Sequence, residues 1–226
     1  MKTNSGVKSK REIAFIQRAC NITDGIFKEL IKNFRFKTEK DVAKFIRKKI
    51  KENKCRMAFR PIVASGKNAS NPHHKPTDKK LTGFIIIDFG VKYKGYCSDM
   101  SRTIFVGTPT KEHLKLYKLV LEVQRDSIKK IRKGVKCDEL HEYSIKSFGN
   151  HKKYFIHALG HGLGKKIHEN PSIGKKKGHI FENNMVFTVE PGIYIKNRFG
   201  IRIEDTLLLN KTTKLLTKSR KDLLTF

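Results

Sequence analysis

Paired cysteines are missing from this sequence. Its four, Cys20, Cys55, Cys97 and Cys137, form no Cys-x-x-Cys unit, which argues against a zinc knuckle or dithiol redox motif. No apolar run approaches the roughly 20 residues of a membrane-spanning helix, and the opening MKTNSGVKSKRE has none of the apolar core of a signal peptide. A reducing cytoplasm is therefore the expected compartment. Acidic residues are few, 21 against 50 basic ones, so the formal net charge is +29. Such a charge suits nucleic acid, an anionic membrane surface or acidic substrates. Arginine, the preferred residue for phosphate forks, is scarce, with 12 against 38 lysines. The lysines are scattered in short clusters such as Lys129-Lys130 and Lys175 to Lys177. This pattern favours a lysine-rich solvated surface over a nucleic-acid site.

The 226 residues suit one domain, and a chain of this size buries roughly 70% of its unfolded surface. No linker long or polar enough to separate domains is visible, so residues 1–226 are expected to form a single unit without a separate N-terminal domain. Ile16, Ala19, Cys20, Thr23, Ile26, Phe27 and Leu30 recur at helical spacing and predict a helix over 11–33. Thr38 with Asp41 three residues on reads as a capping box for a helix running to about Asn53. Strands are expected at Phe84–Phe89 and from Gly95 to Val106, and helices over 110–132, stopped by Gly134, and 138–149. Strands return at Met185–Glu190, Gly192–Ile195 and Phe199–Leu209. The order helix, helix, strands thus occurs twice. Strands in consecutive runs predict an α+β fold with a mainly antiparallel sheet.

Two strand pairs carry carboxylates. A hairpin turning at Tyr93-Lys94 sets Asp88 opposite Asp99, and a turn centred on Asn197 sets Glu190 opposite Glu204. Opposed like charges about 5 Å apart repel by roughly 3–4 kcal/mol at an effective dielectric of about 20. Each pair adjoins an apolar run, so either the registers differ from these or cations resolve the conflict. Two divalent ions would balance four carboxylates. Neither turn shows the Asn-Gly signal that pins a hairpin, and spacing alone leaves both readings open. A glycine-framed segment, His157 to His168, holds three of the nine histidines. Glycines on both sides of His161 permit close backbone approach, and neutral imidazole is a common metal ligand. His73 and His74, in the loop before the first carboxylate strand, are weaker candidates.

Six segments run in the order of one known family: Pro61 to Gly66 through Asn68 to Pro72-His73; Ile87-Asp88-Phe89-Gly90; Ser98-Asp99-Met100-Ser101-Arg102-Thr103; Gly160 to Gly164 with His168-Glu169-Asn170-Pro171; Thr188-Val189-Glu190-Pro191-Gly192; and Gly200 to Thr206. The chain resembles the catalytic domain of the pita-bread metallopeptidases, which include methionine aminopeptidase, aminopeptidase P, prolidase and creatinase. The resemblance implies the pita-bread fold, a curved antiparallel sheet covered by helices. It also implies a five-residue ligand set of Asp88, Asp99, His161, Glu190 and Glu204, with Asp99 and Glu204 bridging two divalent ions. Such a set suits manganese, cobalt, iron or zinc.

By the same resemblance His73, His157 and His168 bind substrate and move protons, Glu190 shares in proton transfer, and Tyr194 and Arg202 shape the substrate pocket. Glu190 to Tyr194 and Arg202 to Thr206 are similar to the proline-specific members. The implied activity is hydrolysis of Xaa-Pro peptide bonds by a metal-bridging hydroxide, on small peptides with proline second. Methionine aminopeptidase is the nearest alternative, a non-catalytic binding protein another, and metal-free creatine-type hydrolysis a third. A homodimer is compatible with the family. Lys165 and Lys166 stand where the family more often has an apolar and an acidic residue, and Asn183-Asn184 stands where it commonly has a glycine.

Overall fold

The computed structural model describes residues 6–32 and 34–226. The opening residues 1–5, part of the stretch weighed as a leader, and Asn33 at the end of the first expected helix lie outside the described residues. The described residues form four α-helices: α1 (Lys10–Lys32), α2 (Glu39–Glu52), α3 (Lys111–Lys130) and α4 (Cys137–Ser147). The strands of the first half are β1 (Arg56–Met57), β2 (Ile62–Ser65), β3 (Gly83–Phe89), β4 (Val91–Tyr93), β5 (Tyr96–Cys97) and β6 (Met100–Val106). Those of the second half are β7 (Gly160–Gly162), β8 (Glu169–Ile173), β9 (Met185–Val189), β10 (Gly192–Ile195), β11 (Phe199–Arg202), β12 (Asp205–Asn210) and β13 (Thr212–Leu215). Among the described residues no helix is long and apolar enough to cross a membrane.

Each half repeats one construction. In the first, α1 and α2 lay an apolar stripe, including Ile26, Leu30, Val42 and Ile46, onto Ile85, Ile87 and Phe89 of β3. In the second, Val120 and Val123 of α3 and Leu140 of α4 share a core with Phe187 and Val189 of β9 and Leu207 and Leu209 of β12. The ladders are antiparallel, in the orders β2-β3-β6 and β13-β12-β9-β7-β8, with the smaller ladders β10-β11 and β1-β4-β5. The α2 cap forms as its residues predict: the Thr38 hydroxyl accepts from the Asp41 amide, and the Asp41 carboxylate accepts from the Thr38 amide.

The two carboxylate hairpins fare differently. Around Asn197, whose φ is 61°, β10 pairs with β11 (Ile193↔Ile201) and β9 with β12 (Asp205↔Val189) in the expected register. Glu190 and Glu204 occupy the break between these two ladders, where Pro191 removes an amide donor. The first hairpin turns one residue later than expected. Lys94 and Gly95 have φ of 47° and 87°, the left-handed pair of a tight hairpin turn, which glycine adopts freely. Asp88 therefore faces Ser101, not Asp99. Asp99 lies just outside the β6 ladder, two residues along the same face from the partner of Asp88, so the two carboxylates are diagonal. The break is enforced at Gly90, where an added Cβ would lie 2.0 Å from the Ser98 carbonyl oxygen. Asn184 takes φ 65°, the conformation a glycine would supply there, so only a local turn is affected.

Candidate metal centre

Asp88 near the end of β3, Asp99 just before β6, and Glu190 and Glu204 in the breaks beside β9 and β12 all reach one cleft of about 800 Å³. Asp88, Asp99, His161, Glu190 and Glu204 all line it, as do His73, His157, His168 and Arg202. Ligand-capable atoms of Asp99, His161 and Glu204 lie within 4.8 Å of one another. Glu190 joins through His161, with Oε1 3.3 Å from Nε2, and Asp99 Oδ2 is 3.7 Å from the same nitrogen. Asp88 is held slightly apart, because its Oδ2 accepts from Arg202 Nη2 at 2.5 Å.

The donor chemistry fits a divalent cation. Asp88 Oδ1, Asp99 Oδ1 and Glu204 Oε1 are buried and have no hydrogen-bond partner among the described residues. Buried polar atoms normally find a partner. Burial and the neighbouring charge of Asp88 push the Asp99 carboxyl well above its ordinary range, and burial and Asp99 do the same to Glu204. Burial opposes charge on His161, yet the bond and charge of Glu190 outweigh it and raise the imidazole. Burial also resists ionisation of Glu190, but His161 outweighs it and holds the carboxyl low. The His161 Nδ1–H donates to the Gly162 carbonyl at 3.1 Å, so Nε2 faces the carboxylates, where a bound cation would take the place of its proton. A ring oriented in this way is a common preparation for metal ligation.

Three hydroxyl groups, each two residues along the chain from one of the acids, brace the site. Ser101 Oγ donates to Glu204 Oε2 at 3.0 Å and accepts from Arg202 Nε at 2.8 Å. Thr188 Oγ1 donates to Glu190 Oε1 at 3.1 Å, and Thr206 Oγ1 donates to the Asp99 carbonyl at 2.7 Å. Sequence reasoning did not assign these three residues a role, although the period-two spacing from Asp99, Glu190 and Glu204 was a readable signal.

Arg202 also donates from Nη1 to the Tyr194 hydroxyl at 2.8 Å, and that hydroxyl lies 2.8 Å from His157 Nε2. His157 Nδ1–H must donate to the Ala158 carbonyl, 2.7 Å away, so the neutral ring receives the tyrosine proton at Nε2. Burial lowers the His157 imidazole and raises the Tyr194 phenol to about 12. Both groups therefore stay neutral near pH 7, and one chain of bonds runs from Asp88 through Arg202 and Tyr194 to His157. The His168 ring meets His161 edge to face at 4.3 Å, and burial and the His161 charge lower its imidazole. Tyr194 touches the cleft through these partners and does not line it.

The structure adds groups at the rim. Lys8, only 6% exposed, pairs with Glu169 Oε2 at 2.6 Å, which neutralises an acid lining the cleft. Lys8 lies far from the motifs in sequence, and no local pattern marks it. Lys166 lines the cleft, while Lys165 turns its ammonium toward the Tyr96 ring, 5.9 Å away. Behind the site, Asp205 accepts from Arg102, Lys221, Gln124 and Thr217 at 2.7–2.9 Å, and Arg102 also donates to the Glu204 carbonyl.

Comparison with known proteins agrees with this geometry. Residues 14–211 match the model of metallopeptidase family M24. A Xaa-Pro dipeptidase of Pyrococcus furiosus is 38% identical over a 226-residue alignment that covers 96% of this chain and 65% of that protein. The chain thus spans about 65% of the length of that curated relative. A prolidase from Thermococcus sibiricus superposes with a TM-score of 0.94 at 38% identity, covering 98% of this chain and 63% of that one. An X-Pro aminopeptidase from Thermotoga maritima superposes with a TM-score of 0.93 at 34% identity, covering 98% and 65%. The fold is the pita-bread fold of these enzymes, and the chain belongs to metallopeptidase family M24.

Proposed function

We propose that this protein is a two-metal exopeptidase that hydrolyses the Xaa-Pro bond of small peptides. The observation that carries the reading is the cluster of Asp99, His161 and Glu204 donor atoms within 4.8 Å, with buried carboxylate oxygens turned into the cleft unbonded. Asp88, Asp99, His161, Glu190 and Glu204 would hold two divalent ions, of manganese, cobalt, iron or zinc. When bound, such ions supply a nucleophilic water near neutral pH and polarise the scissile carbonyl.

The chain's own groups do the rest. Glu190 takes a proton at Oε1 and returns it to the departing proline nitrogen. His157, kept neutral and oriented by Tyr194 and Ala158, and His73 stabilise charge developing on the carbonyl oxygen or align the peptide. His168, against the His161 ring, forms the adjoining wall. Arg202 serves in place, because its bonds to Asp88, Ser101 and Tyr194 leave it little freedom to reach a ligand. The names of the relatives, Xaa-Pro dipeptidase among them, support proline over methionine as the determinant.

The test is cleavage of Ala-Pro and Ala-Pro-Ala against Met-Ala-Ser, with added manganese or cobalt and with chelator. Chelator-sensitive cleavage of the proline peptides is expected. Preference for Met-Ala-Ser would indicate methionine aminopeptidase instead, and equal activity in Asp99→Ala would sink the two-metal reading.

A further inference from the structure

The loop that carries His73 is fastened from an unexpected side. Glu39 is the first residue of α2, and it is completely buried. A buried carboxylate is costly unless donors replace its water. Here five hydrogen bonds converge on it. Oε1 accepts from the Ser65 amide at 2.8 Å and from Asn68 Nδ2 at 2.9 Å. Oε2 accepts from the Thr77 amide at 2.9 Å and its hydroxyl at 2.7 Å, and lies 2.8 Å from His74 Nε2. These donors bracket residues 65–77. Burial raises the carboxyl, but the bonds from His74, Thr77 and Asn68 outweigh it and the group lies below its ordinary range.

His73 is placed by what holds its neighbours. The Pro72 carbonyl accepts from Arg202 Nη1 at 3.3 Å, the His73 amide donates to Asn71 Oδ1 at 3.0 Å, and the His74 ring is fixed by Glu39. The turn over Gly66–Ser70 rests on β11, where a Cβ on Gly200 would lie 2.0 Å from the Ala69 carbonyl oxygen. Among the described residues the His73 ring itself forms no hydrogen bond, and it lines the cleft. Both neighbours are pinned while the ring between them stays available. Glu39 does not line the cleft.

We propose that Glu39 is a positioning residue for His73: it clamps the 65–77 segment through Ser65, Asn68, His74 and Thr77 and so aims the His73 ring at the peptide. The proposal rests on the reading of the cleft as a peptidase site. A catalytic group displaced by about 1 Å loses on the order of 100-fold in rate, so the clamp has a kinetic signature of its own.

The experiment compares wild type, Glu39→Gln, Thr77→Val, His73→Ala and the Glu39→Gln/His73→Ala double variant, all manganese-loaded, on Ala-Pro-Ala. Glu39→Gln keeps the shape and removes the charge. It is expected to lower kcat/KM by about 10- to 100-fold, with manganese content unchanged. The double variant is expected to match His73→Ala within about twofold, because a clamp has nothing left to position. Losses that multiply instead would overturn the proposal. Backbone hydrogen exchange provides a second readout. Amides of residues 65–77 exchange about tenfold faster or more in Glu39→Gln and somewhat faster in Thr77→Val, while β3 and β9 keep their protection. Unchanged exchange in 65–77 overturns the proposal whatever the activities. A wild type inactive on every Xaa-Pro peptide would instead defeat the peptidase reading, and exchange alone would then decide the clamp.

Discussion

Glu39 and Glu204 are both buried glutamates, 0% and 1% exposed, and they are opposites in every other respect. Glu39 has donors on both oxygens and ionises more readily than an ordinary carboxyl, despite its burial. Glu204 leaves Oε1 unbonded, faces Asp99 and Glu190, and is pushed well above its ordinary range by burial and by Asp99. Asp205, the next residue, belongs with Glu39. Burial opposes its charge, but Arg102 and Lys221 outweigh it and hold its carboxyl low. One kind of buried acid is completed by the protein's own donors and acts as a structural joint. The other kind is left incomplete, and a bound cation or a proton would meet its deficit. Burial and residue type do not separate the two; the count of satisfied oxygens does.

The largest expected effect tests the joint. Asp205→Ala strands Arg102 and Lys221 without their partner and is expected to cost about 3–5 kcal/mol, read as a lower urea midpoint. A loss below about 1 kcal/mol would remove Asp205 from the satisfied class. Next comes the incomplete class. Asp99→Asn is expected to lower peptide cleavage by at least roughly 100-fold, since even outer partners of metal ligands cost 10- to 100-fold. The metal-free variant should nonetheless be no less stable than metal-free wild type, because a repelling charge has gone. Manganese at about 100 times its Kd should stabilise wild type by about 2.7 kcal/mol and the variant by much less. Equal stabilisation of both, followed by thermal melting with and without metal, would break the comparison.

The smallest effect concerns pH. The Glu39 carboxyl is depressed in the folded chain, so it binds its proton less readily there than in the unfolded chain, whose value is about 4.3. Its contribution to stability is complete above that value and is lost as pH falls through the folded value. Glu39→Gln should therefore flatten the acid limb of a plot of urea midpoint against pH below about pH 4.3, the unfolded value. An identical slope in both proteins would show that Glu39 is not a stabilising charge.

Much of the fold was legible because its signals are local. The apolar stripe of α1, the Thr38–Asp41 cap and the strand pairs about Asn197 each depend on residues near one another in sequence. The register that puts Glu190 beside Glu204 needed only a turn centre and strand periodicity. The first hairpin was displaced because the glycine at position 95 governs the turn, and its left-handed φ outweighs the symmetry of the carboxylates around it. The cleft residues were legible in identity, through spacing and family resemblance, but the long-range contacts that hold them were not. Lys8 pairs with Glu169 across 161 positions, and Arg102 meets Asp205 across 103. No periodicity reports such contacts.

By itself, then, the sequence determined which faces of strands the carboxylates share and where the helices begin and end, since those properties follow from side-chain chemistry and short-range geometry; the five candidate metal ligands came as a set only through family resemblance. Only the tertiary structure decided which buried acids are completed by donors and which are left open. That distinction depends on where distant serines, threonines, lysines and arginines arrive once the two halves have packed. The same sequence motif that carries His73 is held by a glutamate from α2, and the chain had to fold before the two could meet.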